Sequence, residues 1–341
     1  MTWAGLLLAD PSPCLRFLVL RDLIHSSEDD DELQELSRLR TRDGLVQDLV
    51  QTQSEDGSWS PRVPSLTSSR ILPTSQGLMR LGYLGFGAEF PPVQKAAEYL
   101  FSQQLDDGSW PIPGRVEEGG REGYTMIPLQ TGIPLRALVL SGYALDSRAE
   151  KAYRWLLDQR LEDGAWPTGI SSGIYGGVAG YRRIAHSRWG CRSNTTGALA
   201  CLSLHPSRSR SPESQRALDL LLGRETKEAY TLGFETARLI GAEQHRGFLT
   251  YYARFDLGQM LDLCWRIGAS SADQRVAELV EFVENLRSPH GIWAYSARPQ
   301  ASRWVTYDIL RSLMRLKESD EWLSMEPRTP FQPYPKRLRR F

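Results

Sequence analysis

The chain lacks an excess of either charge, a clustered pair of cysteines and any long apolar run. Its 341 residues include 41 basic and 41 acidic side chains, so the net charge is zero. Nucleic-acid-binding proteins usually carry a basic excess, and we therefore expect no nucleic-acid partner. No apolar stretch reaches the roughly 20 residues that a membrane-spanning helix needs. Strand-like alternation is also scarce, so the sequence predicts an all-α fold.

The four cysteines are scattered and form no Cys-x-x-Cys pair. This usage is typical of reduced thiols in a cytosol rather than of a disulfide framework. The first eight residues are apolar, but they follow no basic segment and lead to no small-residue cleavage site, so they do not resemble a signal peptide. We therefore expect a cytoplasmic location.

A segment that contains Gly and Trp two residues apart recurs four times. In each copy a helix-patterned stretch ends in Gln or Arg, and three residues, Gly, one residue and Trp follow. The copies are Gln53–Trp59, Gln104–Trp110, Arg160–Trp166 and Arg287–Trp293. A repeat with a period of tens of residues indicates one structural unit that is stacked several times. The gap between the last two copies is about two periods, which predicts a copy without Trp near Gln215–Thr231.

A second, more apolar helix is predicted after each of these segments. Aligned on a leucine marker, these helices cover Ile71–Leu84, Ile127–Ser141, Cys191–Leu204, Ala253–Ile267 and Val305–Leu316. Pro13–Ile24 has the same apolar pattern, and half-polar stretches such as Lys95–Gln104 alternate with the apolar ones. Six inner helices are enough to close a ring. We predict one domain over residues 1–326 and a Pro-rich basic tail over 327–341.

Two loops are rich in glycine and charge, Ile112–Tyr124 and Pro167–Trp189. Loops beyond about 15 residues are often functional lids or simply disordered. The sequence leaves both alternatives open for Pro167–Trp189.

The recurring segment resembles the QW motif of squalene-hopene and oxidosqualene cyclases. One copy fits that motif at every position, with Lys95, Ala96, Tyr99, Leu100, Gln104, Gly108 and Trp110. The resemblance implies the (α/α)6 toroid that terpenoid cyclases share with the β subunits of protein prenyltransferases. It is strongest for stand-alone bacterial prenyltransferase-like proteins. The motif residues themselves are expected to be scaffold, because Gln or Arg can satisfy backbone groups at a helix end while Trp packs between helices.

Two catalytic patterns of these families are missing. Class II cyclases protonate their substrate with an aspartate of a DxDD motif, which this chain does not contain. Protein prenyltransferases hold zinc with Asp-x-Cys and a distant His, whereas Cys191 follows Arg-Trp-Gly. We therefore expect no cofactor. Zinc on Cys191, Asp256 and a His, or magnesium without a DDxxD motif, are the weaker alternatives.

Polar residues recur near the starts of the aligned inner helices. The fifth position before the leucine marker holds Pro73, Gln130, Asn194, Asp256 and Asp308, and the fourth holds Thr74, Thr131, Thr195, Leu257 and Ile309. Such residues are good helix N-caps. Alternatively, they form a polar ring at the mouth of an apolar cavity. On the second interpretation Asp256 and Asp308 are candidate catalytic acids, and Gln130, Thr131, Asn194 and Thr195 are candidate substrate-binding residues.

Four neighbouring residues complete the predicted site: Arg254, Tyr252, Trp304 and Tyr307. Aromatic faces can stabilise carbocations, although aromatic residues at helical spacing equally form cores. A cavity-facing arginine suits a diphosphate, although a solvated surface charge has the same sequence pattern.

The resemblance thus implies an isoprenoid-handling enzyme of the terpene cyclase/prenyltransferase type. It would act on a linear isoprenoid in an apolar central cavity. One alternative is a non-catalytic toroid that binds a lipid or a protein, and another is a carbohydrate-active α/α toroid. The expected partner is an isoprenoid or another apolar small molecule. The basic end Lys336–Phe341 could contact an anionic membrane, and the oligomeric state is left open.

Overall fold

The computed structural model describes residues 2–61, 69–110, 127–168, 184, 186–223, 230–244, 247–248, 251–318 and 322. The predicted loop Ile112–Tyr124 and the tail 327–341 lie outside these residues, as does most of Pro167–Trp189. The division into a domain and a tail therefore stays a prediction.

Helices dominate the described chain. Their bounds are α1 Thr2–Leu8, α2 Pro13–Val19, α3 Asp31–Leu39, α4 Gly44–Thr52, α5 Ile71–Tyr83, α6 Pro91–Ser102, α7 Pro128–Leu138, α8 Ser147–Asp158, α9 Arg192–Leu202, α10 Pro212–Leu222, α11 Phe234–Leu239, α12 Leu257–Ile267, α13 Gln274–Glu284 and α14 Ser302–Lys317. Two-residue strands, β1 Tyr230–Thr231 and β2 Phe255–Asp256, pair in parallel. The predicted all-α class is confirmed.

Inner helices alternate with outer helices around a ring. The inner set is α2, α5, α7, α9, α12 and α14, close to the predicted stretches. Every residue of α7 and α9 is buried, whereas α3 buries only Leu33 and Leu36. Helix α5 packs on α7, α7 packs on α9, and α12 packs on α14. Helix α14 also contacts the π-helical turn Leu20–Ile24 after α2, which brings the first and last inner helices together. The arrangement is the predicted α/α toroid.

Each Gly-x-Trp segment fastens an outer helix to the inner helix that follows it. The four indole Nε1 groups donate to carbonyl oxygens ten residues earlier, those of Leu49, Leu100, Leu156 and Val283, at 2.7–3.0 Å. The four Trp backbone N–H groups donate to threonine Oγ1 atoms of inner helices, those of Thr74, Thr131, Thr195 and Thr306, at 3.0–3.2 Å. Because these groups are buried, the bonds satisfy donors that would otherwise be costly to bury.

The glutamine of the segment reaches the next repeat. Nε2 of Gln104 donates to the carbonyl oxygen of Gly108 at 2.9 Å and to that of Arg148, just inside α8, at 3.0 Å. Gly108 itself has a φ of 94°, and a Cβ there would lie 2.5 Å from the backbone carbon of Lys151. Glycine is therefore needed both for the backbone conformation and for the close approach of α8.

The last inner helix departs from the predicted alignment. The leucine marker equates Ile309 with Thr74, Thr131 and Thr195, but the threonine that receives the Trp293 N–H is Thr306. The alignment is therefore wrong by three residues in α14, because the register is set by the tryptophan contact and not by a leucine. Asp308 consequently lies within α14 and not at its N-terminal end.

The repeat without Trp has a different connection between its helices. After α10 the chain forms β1 and the short helix α11, and β2 then leads into α12. Helix α11 contacts three inner helices, α5, α12 and α14, and so lies inside the ring. The carboxylate of Asp256 accepts the N–H groups of Gly233 and Glu235 at the start of α11, at 3.2 and 3.1 Å. The guanidinium of Arg80 donates to the carbonyl oxygens of Leu239 and Ile240 at its end.

Replacing Thr131 by Val should lower the free energy of unfolding by about 1–3 kcal/mol, because the buried N–H of Trp110 would lose its acceptor without a change in side-chain shape. Urea denaturation followed by circular dichroism measures this loss. Thr131→Ser retains the hydroxyl and is the matched control, with a clearly smaller loss expected. Equal stability of the Val variant and the unmodified protein would show that the hydrogen bond from the Trp110 N–H to Thr131 does not stabilise the fold.

Candidate functional site

A cavity of about 380 Å³ lies inside the ring, beside α11. All six inner helices or the turns that extend them contribute to its lining, mainly towards their C-terminal ends, as Tyr83, Ser203 and Arg266 illustrate. Its volume falls in the range of small-molecule sites, roughly 300–1,000 Å³. Leucines line part of its wall, namely Leu18, Leu140, Leu204, Leu239 and Leu263. Much of the remainder is charged or hydroxylated, so the cavity is less apolar than the resemblance implies.

Asp308 lies in this cavity. Its Oδ2 accepts hydrogen bonds from the Tyr83 hydroxyl at 2.8 Å and the Thr236 hydroxyl at 2.7 Å, so α5 and α11 both hold the carboxyl group. Its Oδ1 is 3.0 Å from Nη2 of Arg311 in an ion pair. Burial raises the pKa of Asp308 above its ordinary value, against the opposing effect of Arg311 and the two hydroxyl donors.

A second carboxylate in the cavity wall, that of Asp262, has a pKa that is shifted in the opposite direction. Asp262 pairs with Arg266 at 2.8 Å and with Arg311 at 3.3 Å. Burial would raise the pKa of Asp262, but the two guanidinium groups outweigh it and lower the pKa. Arg311 therefore joins one aspartate with a raised pKa to one with a lowered pKa. Pairs of acids whose environments separate their pKa values are typical of acid–base sites.

Deeper in the ring a buried charge network joins α11 to α7. Glu235 pairs with Arg136 and with Arg238, and all three side chains are almost fully buried. Arg136 also donates to the hydroxyl of Tyr252, whose pKa burial raises to about 12. Arg238 donates to the backbone carbonyl of Tyr251. Since buried charges are tolerated only when paired, this network holds α11 in the interior.

The other predicted site residues lie away from the lining of the described cavity. Thr131 and Thr195 receive the Trp N–H groups, the Gln130 side chain accepts the Ile127 N–H, and Asn194 accepts the Leu129 N–H. These contacts place the four residues at helix starts, near the end of the ring opposite to Tyr83 and Ser203.

The predicted aromatic and basic residues also have defined contacts. Tyr307 donates to Asp22, Trp304 lies 5.9 Å from the ring of Tyr83, and Arg254 lies over the ring of Phe234. Tyr252 belongs to the buried charge network. Of the ten predicted residues, Asp308 lines the cavity, and four others, Asp256, Tyr252, Trp304 and Tyr307, contact residues that line it.

Asp256 is fully enclosed by backbone donors. Besides Gly233 and Glu235, it accepts the N–H of Gln259 at 3.2 Å and so caps α12. Burial raises its pKa, partly opposed by these donors. Its geometry supports a role in joining α11 to α12, and its assignment as a catalytic acid stays a prediction.

Sequence reasoning missed most of the cavity's polar groups. Arg136, Glu235, Gln259, Asp262 and Arg311 all line it. A signal existed for three of them, because Arg136, Asp262 and Arg311 are charged residues inside otherwise apolar helices. Charged residues are rarely buried unless they are paired, so such positions indicate an interior network.

No group of three or more His, Cys, Asp or Glu side chains that could hold a metal occurs in the described part of the chain. Cys191 is a buried free cysteine just before α9. Within the same described part, no helix is both long and apolar enough to cross a membrane.

Comparison with known sequences bears out the resemblance read from the repeats. Residues 29–184, a little under half of the chain, match the family model of the squalene-hopene cyclase C-terminal domain. The chain is similar to the squalene-hopene cyclases. A squalene–hopene cyclase from Zymomonas mobilis subsp. mobilis is 27% identical over 144 residues. The match covers 41% of this chain and 21% of that protein, so it spans about a fifth of the curated relative.

Solved structures to which the chain is similar include the type II terpene cyclase MstE from Scytonema. It is 13% identical, with 80% of this chain and 96% of that chain covered, at a TM-score of 0.34. A glycoside hydrolase family 76 mannosidase from Bacteroides thetaiotaomicron is 10% identical, with 93% and 88% covered, at a TM-score of 0.43. Since both scores lie below 0.5, neither likeness bears on the activity of this squalene-hopene cyclase-like chain.

Replacing Glu235 by Gln should lower the free energy of unfolding by about 3–5 kcal/mol, because two buried guanidinium groups would lose their shared counter-charge. Guanidinium chloride denaturation quantifies the change. Glu98→Gln is the matched control, since Glu98 pairs with Arg148 on the surface and should cost no more than about 1 kcal/mol. Similar losses for the two variants would show that the interior network does not hold α11.

Proposed function

We propose that this chain is an isoprenoid-handling enzyme of the terpene cyclase/prenyltransferase type. Its substrate would occupy the central cavity with its reacting end against Asp308. The observation that carries the proposal is the position of Asp308, a buried carboxyl group with a raised pKa in the cavity of an α/α toroid. The sequence similarity to squalene-hopene cyclases supports the same class of chemistry.

The geometry around Asp308 is suited to an acid that protonates an alkene or an epoxide. Both hydroxyl donors, those of Tyr83 and Thr236, point to Oδ2. A proton on the carboxyl group would therefore reside on Oδ1, which has no hydrogen-bond donor among the described residues. Arg311 beside Oδ1 opposes this protonation, and a substrate that displaces or screens Arg311 would raise the pKa of Asp308 further and so increase its protonated fraction.

The apolar part of the cavity wall fits the hydrocarbon portion of such a substrate. Leucines from four inner helices or their extensions and from α11 supply it, and Phe86 adds an aromatic face. Each guanidinium group of the wall has a carboxylate partner, so no arginine presents an unpaired charge to an apolar chain. Aromatic faces near a cation would provide the stabilisation that carbocation chemistry needs.

A second candidate function is a toroid that binds a lipid or a protein without chemistry. The observation that favours it is α11, which fills part of the ring and is fixed there by Asp256, Arg80 and the buried charge network. The filled interior leaves about 380 Å³. A scaffold requires no larger cavity, whereas a long isoprenoid would have to fold tightly in it.

The enzyme proposal predicts a new product when the purified protein meets a panel of linear isoprenoids, their epoxides and their diphosphates. Gas chromatography–mass spectrometry detects the product. Asp308→Asn should lower the rate of product formation by about 100-fold or more, because the proton donor is removed while the hydrogen-bond geometry is retained. Asp158→Asn is the matched control, since Asp158 is exposed on α8 and should leave turnover unchanged.

The pH dependence gives an independent check. Since the protonated form is the donor, the rate should fall as the pH rises through the raised pKa of Asp308. Full turnover by Asp308→Asn would refute the acid role. Binding of the isoprenoid panel without any product, from folded protein, would favour the non-catalytic toroid.

A further inference from the structure

The arginines that line the cavity are each paired with a carboxylate. Arg21 pairs with Asp22 at 2.6 Å, and Arg266 pairs with Asp262. Arg311 is shared by Asp262 and Asp308, and Arg136 pairs with Glu235. Each guanidinium group of the cavity wall thus has a carboxylate partner. A diphosphate or carboxylate ligand would have to break one of these pairs and leave its acid uncompensated, which is costly in a buried site.

Four residues of the same cavity wall keep a polar atom without a hydrogen bond among the described residues, namely Arg136 and Arg311 at Nε, Gln259 at Nε2 and Asp308 at Oδ1. Gln259 is 8% exposed, and its Nε2 has no hydrogen-bond partner among the described residues. Oδ1 of Asp308 is likewise without a hydrogen bond there, although it lies beside Arg311. Buried polar atoms are nearly always satisfied in native proteins, so these atoms in one cavity indicate a missing polar ligand group. The two arginines are already held by carboxylates through their Nη atoms, which leaves Gln259 Nε2 and Asp308 Oδ1 as the atoms that a ligand group would meet.

The chemistry of these two atoms selects the ligand group. The amide Nε2 of Gln259 can only donate, whereas Oδ1 of Asp308 accepts when it is ionised and donates when it is protonated. A hydroxyl group both donates and accepts, and can therefore satisfy either atom in either state. A diphosphate could satisfy both atoms only when Asp308 is protonated, and it would also compete with the carboxylate partners of the arginines, whereas a hydrocarbon can satisfy neither atom.

We infer that the cavity binds a neutral alcohol, an isoprenoid with a hydroxyl group that is recognised by the Gln259 amide and the Asp308 carboxyl group. The inference rests on the proposed function for the isoprenoid part of the ligand. The hydroxyl part rests on the paired charges and the two unsatisfied atoms alone. Gln259 is then the residue that determines specificity for the polar end.

Isothermal titration calorimetry of the full chain with four ligands tests the inference. Geraniol, geranyl diphosphate and the hydrocarbon myrcene share a ten-carbon isoprenoid skeleton and differ at the polar end, while 1-decanol has the hydroxyl group without the isoprenoid skeleton. We expect geraniol to bind most tightly to the unmodified protein. Gln259→Leu keeps the side-chain size and should weaken geraniol binding by about ten-fold, with myrcene binding unchanged. Gln103→Leu, at an exposed position, is the matched control.

The order of affinities of the four ligands for the unmodified protein tests the inference even if the variant does not fold. Tighter binding of geranyl diphosphate, or equal binding of myrcene and geraniol, would overturn the inference and leave the proposed function standing. Equal binding of 1-decanol and geraniol, lost in Gln259→Leu, would support hydroxyl recognition and contradict the isoprenoid assignment. Binding of none of the four would overturn both.

Discussion

The ring depends on the double hydrogen bond that each repeated tryptophan makes. The indole N–H donates to a backbone carbonyl of the outer helix before the segment, and the backbone N–H donates to a threonine hydroxyl of the inner helix after it. One residue thereby joins two helices and their connection, and both of its N–H groups have acceptors. In the two copies that contain glutamine, Gln53 and Gln104 also donate to the start of the next outer helix, so these bonds set the spacing between repeats in that part of the ring.

The interior owes its character to the repeat that lost its tryptophan. Without the two tryptophan hydrogen bonds, the connection between α10 and α12 takes a different path, and α11 occupies part of the interior of the ring. A short helix inside a ring brings unsatisfied backbone groups with it. Asp256 and Arg80 satisfy them at its two ends, and Glu235 requires the buried guanidinium groups of Arg136 and Arg238. The charged cavity wall is thus in part a consequence of burying α11.

The sequence predicted the inner helices of the ring but few of the residues that line the cavity, and the reason is physical. Repeated segments produce a periodic pattern in the sequence, so the inner helices and the copy without Trp could be located. The site depends on α11, which belongs to no repeat, and on long-range pairs such as Tyr83 with Asp308 that join residues far apart in the chain. The leucine alignment placed Asp308 at a helix start, and its presence in the cavity follows from the register that Thr306 sets. Asp308 lines the cavity although the alignment that singled it out is wrong in α14, and its role as an acid stays a prediction.

The paired charges of the cavity wall place a constraint on its chemistry. A cavity that already contains neutralised guanidinium and carboxylate groups changes little in energy when a neutral ligand enters, but strongly when an anion does. A cationic intermediate is a separate case, because it develops after binding and can be stabilised by the aspartates without breaking their pairs. When Asp308 holds the proton that it would donate, Arg311 keeps Asp262 as its partner, so the pairing of the guanidinium groups is compatible with carbocation chemistry and opposed to recognition of an anionic head group. The same arrangement that fixes α11 would then select both the ligand and the sign of the charge that develops on it.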